Sequence, residues 1–470
     1  MLLAESLLPL TGFVTTVFLT RFLGPRDYGL FTLSASLVSL VQWLAIAPLA
    51  SAPVKIVREA QDWRPVASAL LRAHAALGCI AVIVLLAGAP VLAIVFDEPA
   101  LVFPLLLLAP EALVFTLAAA HRQVLVGLGD YAGRAAAGAA RWSARLVLVL
   151  ALVGAGAGIP GAMVALIGAS LAELLACRTR VQPSLFATGS FRLRSLAFEL
   201  LPVAAFAACL RLFSNLDLFL MKALGASASE TGMYGAALNV FHGVVLTGSA
   251  VTPLLLSSMA GQLSKGDVGA ARGLARDGIR AGVLLFPFAA LAAPCAGEIA
   301  RLLFGPAYAA SGQVLAVLGF AAVANLLLLV AAQMLIAANR PAWCALLGLA
   351  LLAAGAVGVM VVAPRYGLPG VAWARTGVTA VVATFAVGLA CRVLGAAMPW
   401  RSVAVAGVLG AGAWAASGLL PAAGLLVLVK VLVLSLALLL ALFASGELGR
   451  AQVRALAAAL SPQRRPGASG

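Results

Sequence analysis

The residues of this chain that could do chemistry are charged and polar side chains embedded in long apolar stretches. One such stretch holds Arg211, Asn215 and Asp217, and two others hold Glu111 and Arg375. Arg211 and Asn215 are four residues apart, so they share one face of a helix. A charge at mid-bilayer costs ~2.5–3.5 kcal/mol on insertion scales, so these side chains are expected to face a cavity or a partner.

Cationic side chains in such a cavity would bind an anion. Guanidinium groups bind phosphate in bidentate fashion. Arg211 and Arg375, with Arg21 at the end of the first apolar stretch, therefore predict an anion site. Internal pairing is the alternative, because Arg211 could instead neutralise Asp217 or Glu199. The residues predicted for ion coupling or a polar cavity wall are Asp217, Asn215 and Glu111. Four further charged residues lie near helix ends or in the last two apolar stretches, and we expect them to snorkel to the interface: Glu173, Glu298, Arg145 and Lys430.

The sequence contains no pattern typical of catalysis or metal binding. His74, His121 and His242 do not cluster, and no Ser/His/Asp or phosphate-loop spacing is present. The six cysteines lack the short spacings of metal sites and redox pairs. We therefore predict no enzyme activity, no catalytic residue, no metal and no cofactor.

The composition indicates that a membrane surrounds these residues. The chain of 470 residues is 63% hydrophobic and 10% charged, whereas soluble domains are about 25% charged. A net charge of +15 raises nucleic-acid binding as an explanation, but the 31 Lys and Arg residues cluster between apolar runs. That pattern is typical of membrane topology, so no nucleic-acid partner is predicted.

Fourteen apolar runs are long enough to cross a hydrocarbon layer ~30 Å thick, which takes about 20 helical residues. Their approximate spans are 2–22, 30–52, 75–96, 101–121, 135–155, 159–177, 197–221, 232–257, 281–303, 312–337, 342–363, 368–391, 402–420 and 423–445. With the N-terminus inside, 22 of the 31 basic residues fall on the cytoplasmic side and five outside, as the positive-inside rule requires. We predict a multi-pass protein of the bacterial cytoplasmic (inner) membrane with both termini cytoplasmic.

The first six spans and the next six share three correspondences in the same order. They are RFLGPRDYGLF (21–31) with KALGASASETGMY (222–234), Pro48 and Asp62 with Pro253 and Asp267, and QVLVGLG (123–129) with QMLIAAN (333–339). A six-helix repeat keeps its orientation, so an axis along the membrane normal relates the halves. The predicted fold is all-α, with two six-helix bundles and an appended helix pair.

The predicted parts are a first lobe (1–178), a cytoplasmic linker (179–195), a second lobe (196–393), the helix pair (394–446) and a basic cytoplasmic tail (447–470). Two lobes place a cavity between them, and rocking would expose that cavity to each side in turn. This architecture favours a transporter.

Four stretches between residues 21 and 374 carry a family resemblance. They are RFLGPRDYGLF (21–31), NLDLFLMKALGASASETGMYGAAL (215–238), LFGPAYAASGQVLAVLGF (303–320) and VVAPRYGLPGVAWA (361–374). In their order and placement they resemble the polysaccharide (O-antigen type) flippases of the multidrug/oligosaccharidyl-lipid/polysaccharide (MOP) exporter superfamily. The resemblance implies a MATE-like fold around a central cavity.

The resemblance also implies translocation of a polyprenyl-pyrophosphate-linked oligosaccharide from the inner to the outer leaflet, for surface polysaccharide such as lipopolysaccharide. The pyrophosphate would rest among Arg21, Arg211 and Arg375, and Asp217 matches the acidic residue that this family often places in its seventh helix. Implied partners are the lipid-linked oligosaccharide, membrane lipids, a glycan polymerase and other assembly proteins.

Two other functions remain open at this point. A cation-coupled multidrug exporter of the same superfamily would use cavity carboxylates, for which Glu111 and Asp217 are candidates. A membrane-embedded polysaccharide polymerase or ligase would need a large outer loop, and every predicted outer connection is short.

Overall fold

The computed structural model describes residues 2–49, 52–184, 194–249 and 252–447. These residues form helices joined by short turns, and no strand occurs among them, which confirms the all-α class. The helices are α1 (Leu2–Ile46), α2 (Ala52–Glu59), α3 (Trp63–Val95), α4 (Val102–Gly127), α5 (Tyr131–Gly154), α6 (Gly158–Arg178), α7 (Arg194–Ala223), α8 (Ala228–Ser249), α9 (Thr252–Ser264), α10 (Val268–Val283), α11 (Phe286–Ala292), α12 (Ala296–Phe304), α13 (Ser311–Ala337), α14 (Pro341–Leu394), α15 (Trp400–Leu419) and α16 (Leu426–Ala444).

Every predicted span has a helical counterpart. The first two spans share α1, which breaks at Gly24 (φ 70°, ψ 174°), a backbone conformation that glycine adopts without steric cost. Spans eleven and twelve share α14, which breaks at Gly367. Ten segments of the described chain are long and apolar enough to cross a membrane, and two of them, Leu10–Ile46 and Pro341–Leu394, hold these double spans.

The eighth span, predicted over 232–257, is occupied by α8 as far as Ser249 and by α9 from Thr252, and residues 250–251 lie outside the described residues. One predicted span is wrong in detail. The ninth was predicted as one helix over 281–303, but it consists of the end of α10, α11, a 3₁₀ turn and α12. Proline stands at the start of both α11 and the 3₁₀ turn. Because proline lacks a backbone N–H, it favours such breaks.

The helices pack as two bundles with an appended pair. In the first bundle α3 packs on α4, α5 packs on α6, and α1 contacts α4 and α5. In the second bundle α14 packs on α7 and α13, and α13 also packs on α8. Helices α15 and α16 pack on α11. The lobe boundaries stay predictions, and both the inner part of the linker (185–193) and the tail beyond residue 447 lie outside the described residues.

The two bundles meet where α1 crosses α8. A Cβ atom at Gly29 would lie 1.9 Å from the carbonyl oxygen of Ala228, and one at Gly232 would lie 1.9 Å from that of Pro25. Only glycine allows two backbones to approach so closely. This crossing lies at the end of the molecule that the charge distribution predicts to be outside, and it is called the outer end below.

We expect Gly232→Ala to force the two bundles apart at this crossing and to lower the melting temperature of the detergent-solubilised protein. The matched control is Gly243→Ala in the same helix, where an added Cβ meets nothing within 4 Å. Since alanine is favoured over glycine in helices by roughly 0.5–1 kcal/mol, the control should be neutral or stabilising. Equal melting temperatures for Gly232→Ala and the parent chain would contradict the crossing.

Candidate functional site

Polar side chains of α1 and α7 face one another further inward from the glycine crossing. Arg211 Nη2 donates a hydrogen bond of 2.6 Å to Ser39 Oγ. Ser36 Oγ lies 3.4 Å from Asn215 Oδ1 and donates to it. All four side chains are half-buried. They form a polar seam between the two bundles (Ser36, Ser39, Arg211 and Asn215), and Arg211 and Asn215 face it together as their spacing predicts.

The Arg211 guanidinium has no carboxylate within ion-pair distance among the residues described. The side chain of Glu199, a partner that the sequence left open, lies outside them. The guanidinium carbon lies 5.0 Å from the centroid of the Trp43 ring, and Trp43 is 43% exposed. A half-buried guanidinium without a counter-charge favours an anion beside it.

An aromatic bridge connects the seam with the interior of the first bundle. The rings of Trp43 and Phe115 lie 6.4 Å apart. The guanidinium groups of Arg141 and Arg122 lie 4.9 Å and 5.3 Å from the Phe115 ring centroid. Three arginines thus surround one aromatic pair, and cation–π attraction stabilises this arrangement.

Asp217 and Arg375 form an ion pair inside the second bundle. Arg375 Nη1 lies 2.6 Å from Asp217 Oδ2, and the two side chains are 2% and 3% exposed. The Tyr234 hydroxyl donates to the same carboxylate oxygen. The Arg375 guanidinium lies between the rings of Phe213 and Phe241, 5.0 Å and 4.7 Å from their centroids. Asp217 therefore pairs with Arg375 and not with Arg211, and the structure does not bring Arg375 to the seam.

Arg21 lies at the outer end, away from the seam. Its Nε donates a 2.9 Å hydrogen bond to the carbonyl oxygen of Leu303, and its Nη2 donates to that of Leu302. These carbonyls belong to the last turn of α12, where helix C-termini lack internal donors. The three predicted arginines thus occupy three separate places in this structure.

Glu111 lies in a polar network inside the first bundle. Its carboxylate accepts from Gln42 Nε2 at 2.7 Å, Ser170 Oγ at 2.6 Å and Arg141 Nη2 at 3.4 Å. Glu111 is 5% exposed. Every atom bound to the carboxylate is a donor, so its oxygens are satisfied within the first bundle.

Glu173 joins the same network, and its predicted interfacial position is wrong. It is 1% exposed, and its two oxygens lie 2.6 Å from Arg122 Nη1 and 2.8 Å from Arg141 Nη1. Arg145, predicted to snorkel, is half-buried, and its guanidinium carbon lies 5.5 Å from the Trp142 ring centroid. Glu111 was predicted as a polar cavity residue, but the residue spacing gives no sign that Glu173, Arg122 and Arg141 join it.

The charges in and beside the seam are unequal in number. The arginines are Arg122, Arg141, Arg145 and Arg211, and the carboxylates are Glu111 and Glu173. Positive charge therefore exceeds negative charge in this part of the described structure. Such an excess, next to apolar helix walls, attracts anions and repels cations.

The chain resembles known proteins in both sequence and fold. Residues 18–313 match the family described as "Polysaccharide biosynthesis protein". None of the curated proteins matches the chain. An inward closed structure of the lipid II flippase MurJ has a TM-score of 0.73 at 11% identity, with 94% of this chain and 98% of that chain covered.

Two transporters of the MOP superfamily have a similar fold. An inward-facing multidrug resistance MATE family transporter has a TM-score of 0.66 at 16% identity, covering 82% of this chain and 94% of its own. A transporter from Pyrococcus furiosus Vc1 has a TM-score of 0.61 at 14% identity, covering 83% and 95%. At such identities the likeness is one of fold, and it confirms the predicted MATE-like architecture.

Proposed function

Because this chain belongs to the polysaccharide biosynthesis protein family, we propose that it moves a polyprenyl-pyrophosphate-linked oligosaccharide from the inner to the outer leaflet. The family and the fold support a flippase or transporter of the MOP type. The proposal concerns the substrate, its direction and the residues that hold it. Alternating access of a cavity between the two bundles would carry the headgroup across.

The unpaired guanidinium of Arg211 is the observation that supports this substrate. It projects from the second bundle, reaches Ser39 of the first, and meets no carboxylate in the described structure. A pyrophosphate offers paired oxygens that match a guanidinium fork. Ser36 and Asn215, one turn away, could hydrogen-bond the remaining oxygens or the first sugar. We propose that the substrate site is centred on Arg211.

Trp43 supports a saccharide next to that anion. Its indole is 43% exposed and lies against Arg211. A large exposed aromatic face beside hydrogen-bonding groups suits a ring that has apolar C–H faces and polar edges. The indole would pack against the first sugar while Arg211 binds the pyrophosphate.

A cation-coupled multidrug exporter receives less support from the same contacts. Glu111 accepts bonds only from donors, one of which is Arg141. Asp217 is neutralised by Arg375. Neither carboxylate is free to hold a cationic drug in this state, and the excess of arginine would repel one.

A polymerase or ligase also receives little support. The outer connections between described helices are short turns, such as Leu224–Ser227 and Gly305–Ala310. None of them is long enough to enclose a glycosyl-transfer site of its own. We propose that the protein is no enzyme and that a glycan polymerase and other assembly proteins act after it.

The proposal includes location and orientation. The basic connections support a position in the bacterial cytoplasmic membrane with both termini inside, because basic loops are retained on the cytoplasmic side. Membrane lipids would contact the apolar outer faces of helices such as α16, where Leu432, Leu436 and Leu440 are exposed.

Deletion of the gene in its host tests this function. We expect oligosaccharide on the polyprenyl carrier to accumulate in the inner leaflet while surface polysaccharide disappears, and a plasmid copy to restore both. The sugars exposed on one leaflet are modified first, and the lipid-linked saccharide is then extracted. The measured quantity is the amount of lipid-linked saccharide in each leaflet. Unchanged surface polysaccharide with a loss of resistance to cationic compounds would instead favour the drug exporter.

A further inference from the structure

We propose that Arg21 and Lys222 are two latches, equivalent by the internal repeat, that together hold the outer end of the cavity shut. Outward opening then requires both to release. This inference needs only a transporter with two moving bundles, so it holds whatever the substrate is.

The two latches occupy matching positions in the repeat. Arg21 precedes Phe22, Leu23 and Gly24, and Lys222 precedes Ala223, Leu224 and Gly225. Both glycines have positive φ, 70° and 100°, so in each repeat a left-handed glycine interrupts or follows the helix three residues after the basic side chain. Each basic residue therefore projects from the outer end of the first helix of its own bundle.

Each latch reaches across to the opposite bundle. Lys222 Nζ lies 3.0 Å from Glu98 Oε2, just after α3 of the first bundle. Arg21 binds the carbonyls of Leu302 and Leu303 at the end of α12 in the second bundle. The cation of one bundle thus binds the other bundle in both cases.

The two receiving segments are equivalent as well. The sequences after α3 and in the last turn of α12 are Phe-Asp-Glu-Pro (96–99) and Phe-Gly-Pro (304–306). In both, the residue after phenylalanine has positive φ, 46° at Asp97 and 95° at Gly305. A 3₁₀ turn follows in each, Pro99–Leu101 and Pro306–Tyr308. Glu98 is the residue that the second segment lacks, which explains why one latch meets a carboxylate and the other meets carbonyls.

The symmetry axis that relates the two repeats passes through the glycine crossing. Gly29 faces the Ala228 carbonyl and Gly232 faces the Pro25 carbonyl. The equivalent residues, Gly29 with Gly232 and Pro25 with Ala228, each differ by 203 in residue number. Equivalent residues of two repeats make reciprocal contacts only where they meet on their symmetry axis. The latches therefore flank a closed crossing on opposite sides, and releasing one leaves the other in place.

The Lys222–Glu98 pair is suited to opening because it borders a crevice at the outer surface. Its side chains are 5% and 14% exposed, and a crevice of about 370 Å³ at the outer surface is lined by both, with Arg26 and Asp97. Desolvation offsets much of the attraction in a buried pair. When the bundles separate, hydration of both ions compensates for the lost contact, so the pair can hold the closed state without preventing opening.

Accessibility of the seam from outside tests the latches. The probe is Ser36→Cys, labelled by a membrane-impermeant maleimide added to whole cells, with the parent chain and its six cysteines as background. We expect Lys222→Glu to raise the labelling rate about tenfold, since the mutual repulsion of two carboxylates exceeds the ~1.4 kcal/mol that a tenfold shift requires. Arg21→Gln should act in the same direction.

The charge swap identifies the contact. In the double variant Lys222→Glu with Glu98→Lys, labelling should return to within about twofold of the parent rate. Lys222→Gln, which introduces no repulsion, serves if Lys222→Glu does not reach the membrane, and it should raise labelling by a smaller factor. The matched control is Glu298→Lys, whose Arg301 partner lies in the same helix, with side chains 34% and 58% exposed.

Four outcomes decide the question. Faster labelling in Lys222→Glu, restored by the swap and absent in Glu298→Lys, supports the latch. Each of three results overturns it. The labelling rate could be unchanged in both Lys222→Glu and Lys222→Gln, the double variant could be labelled as fast as Lys222→Glu alone, or the rate could rise equally in Glu298→Lys. The readout uses no substrate, so a failed latch and a failed flippase assay are distinguishable.

Discussion

Replacing Arg211 with alanine is expected to abolish transport without unfolding the protein. The guanidinium makes one hydrogen bond across the bundles, to Ser39, and no ion pair in the described structure, so little folding energy depends on it. Two charge-assisted hydrogen bonds to a pyrophosphate would contribute ~1.5–3 kcal/mol each. Their loss should lower the translocation rate about a hundredfold or more, measured as surface polysaccharide per cell in a complemented deletion strain.

Arg211→Lys separates charge from geometry. Lysine keeps the positive charge but cannot bind two oxygens in a planar fork, so we expect intermediate transport. The control is Arg301→Ala, which removes an exposed arginine of the same bundle that pairs within its own helix and should leave transport unchanged. Wild-type transport in Arg211→Ala, at equal protein level, would refute the site.

The second large effect is expected at the buried ion pair. Asp217→Asn leaves the Arg375 guanidinium without a counter-charge in a place where both side chains are almost fully enclosed. Removing one partner of such a pair costs about 3–5 kcal/mol. The apparent melting temperature in detergent should fall by several degrees, whereas Glu298→Gln, at an exposed pair, should change stability by less than ~1 kcal/mol.

A double variant then decides what Arg375 does. In Asp217→Leu with Arg375→Met, two apolar side chains replace the pair, and such replacements are often neutral or stabilising. If the pair only holds α7 against α14, this variant should fold and transport. A folded but inactive double variant would return Arg375 to the substrate site, as the sequence first predicted.

Helix geometry made part of the site predictable. The four-residue spacing of Arg211 and Asn215 places them on one face, and both do face α1. Arg211 and Asp217 are six residues apart, which turns a helix by about 240° beyond a full turn. That angle already disfavours an ion pair between them and leaves Asp217 facing the interior of its own bundle.

The partners of these residues were not predictable in the same way. Arg375 is 158 residues from Asp217, and only the packing of α14 on α7 brings the two together. The Glu111 network takes its donors from three helices besides its own, at Gln42, Arg141 and Ser170. Hydropathy shows that these polar residues interrupt apolar runs, but it carries no information on which helices become neighbours.

The internal repeat also indicates which residues meet near its axis. The pattern Gly, apolar residue, aromatic occurs at Gly29 and at Gly232, and these two glycines meet at the crossing. Likewise, Asp62 and Asp267 both cap a helix, accepting from the backbone N–H groups of Arg64 and Ala270. Matched positions in a repeat thus indicate contacts near its axis as well as a shared fold.

Translocation by the purified protein tests the central claim most directly. The protein is reconstituted into vesicles that contain a polyprenyl-pyrophosphate saccharide with a fluorescent sugar, and a membrane-impermeant reductant bleaches the outer leaflet. We predict that parent protein makes nearly all of the label accessible, whereas Arg211→Ala and empty vesicles leave about half protected. Protection of half the label with active, correctly folded parent protein present would contradict the proposed function.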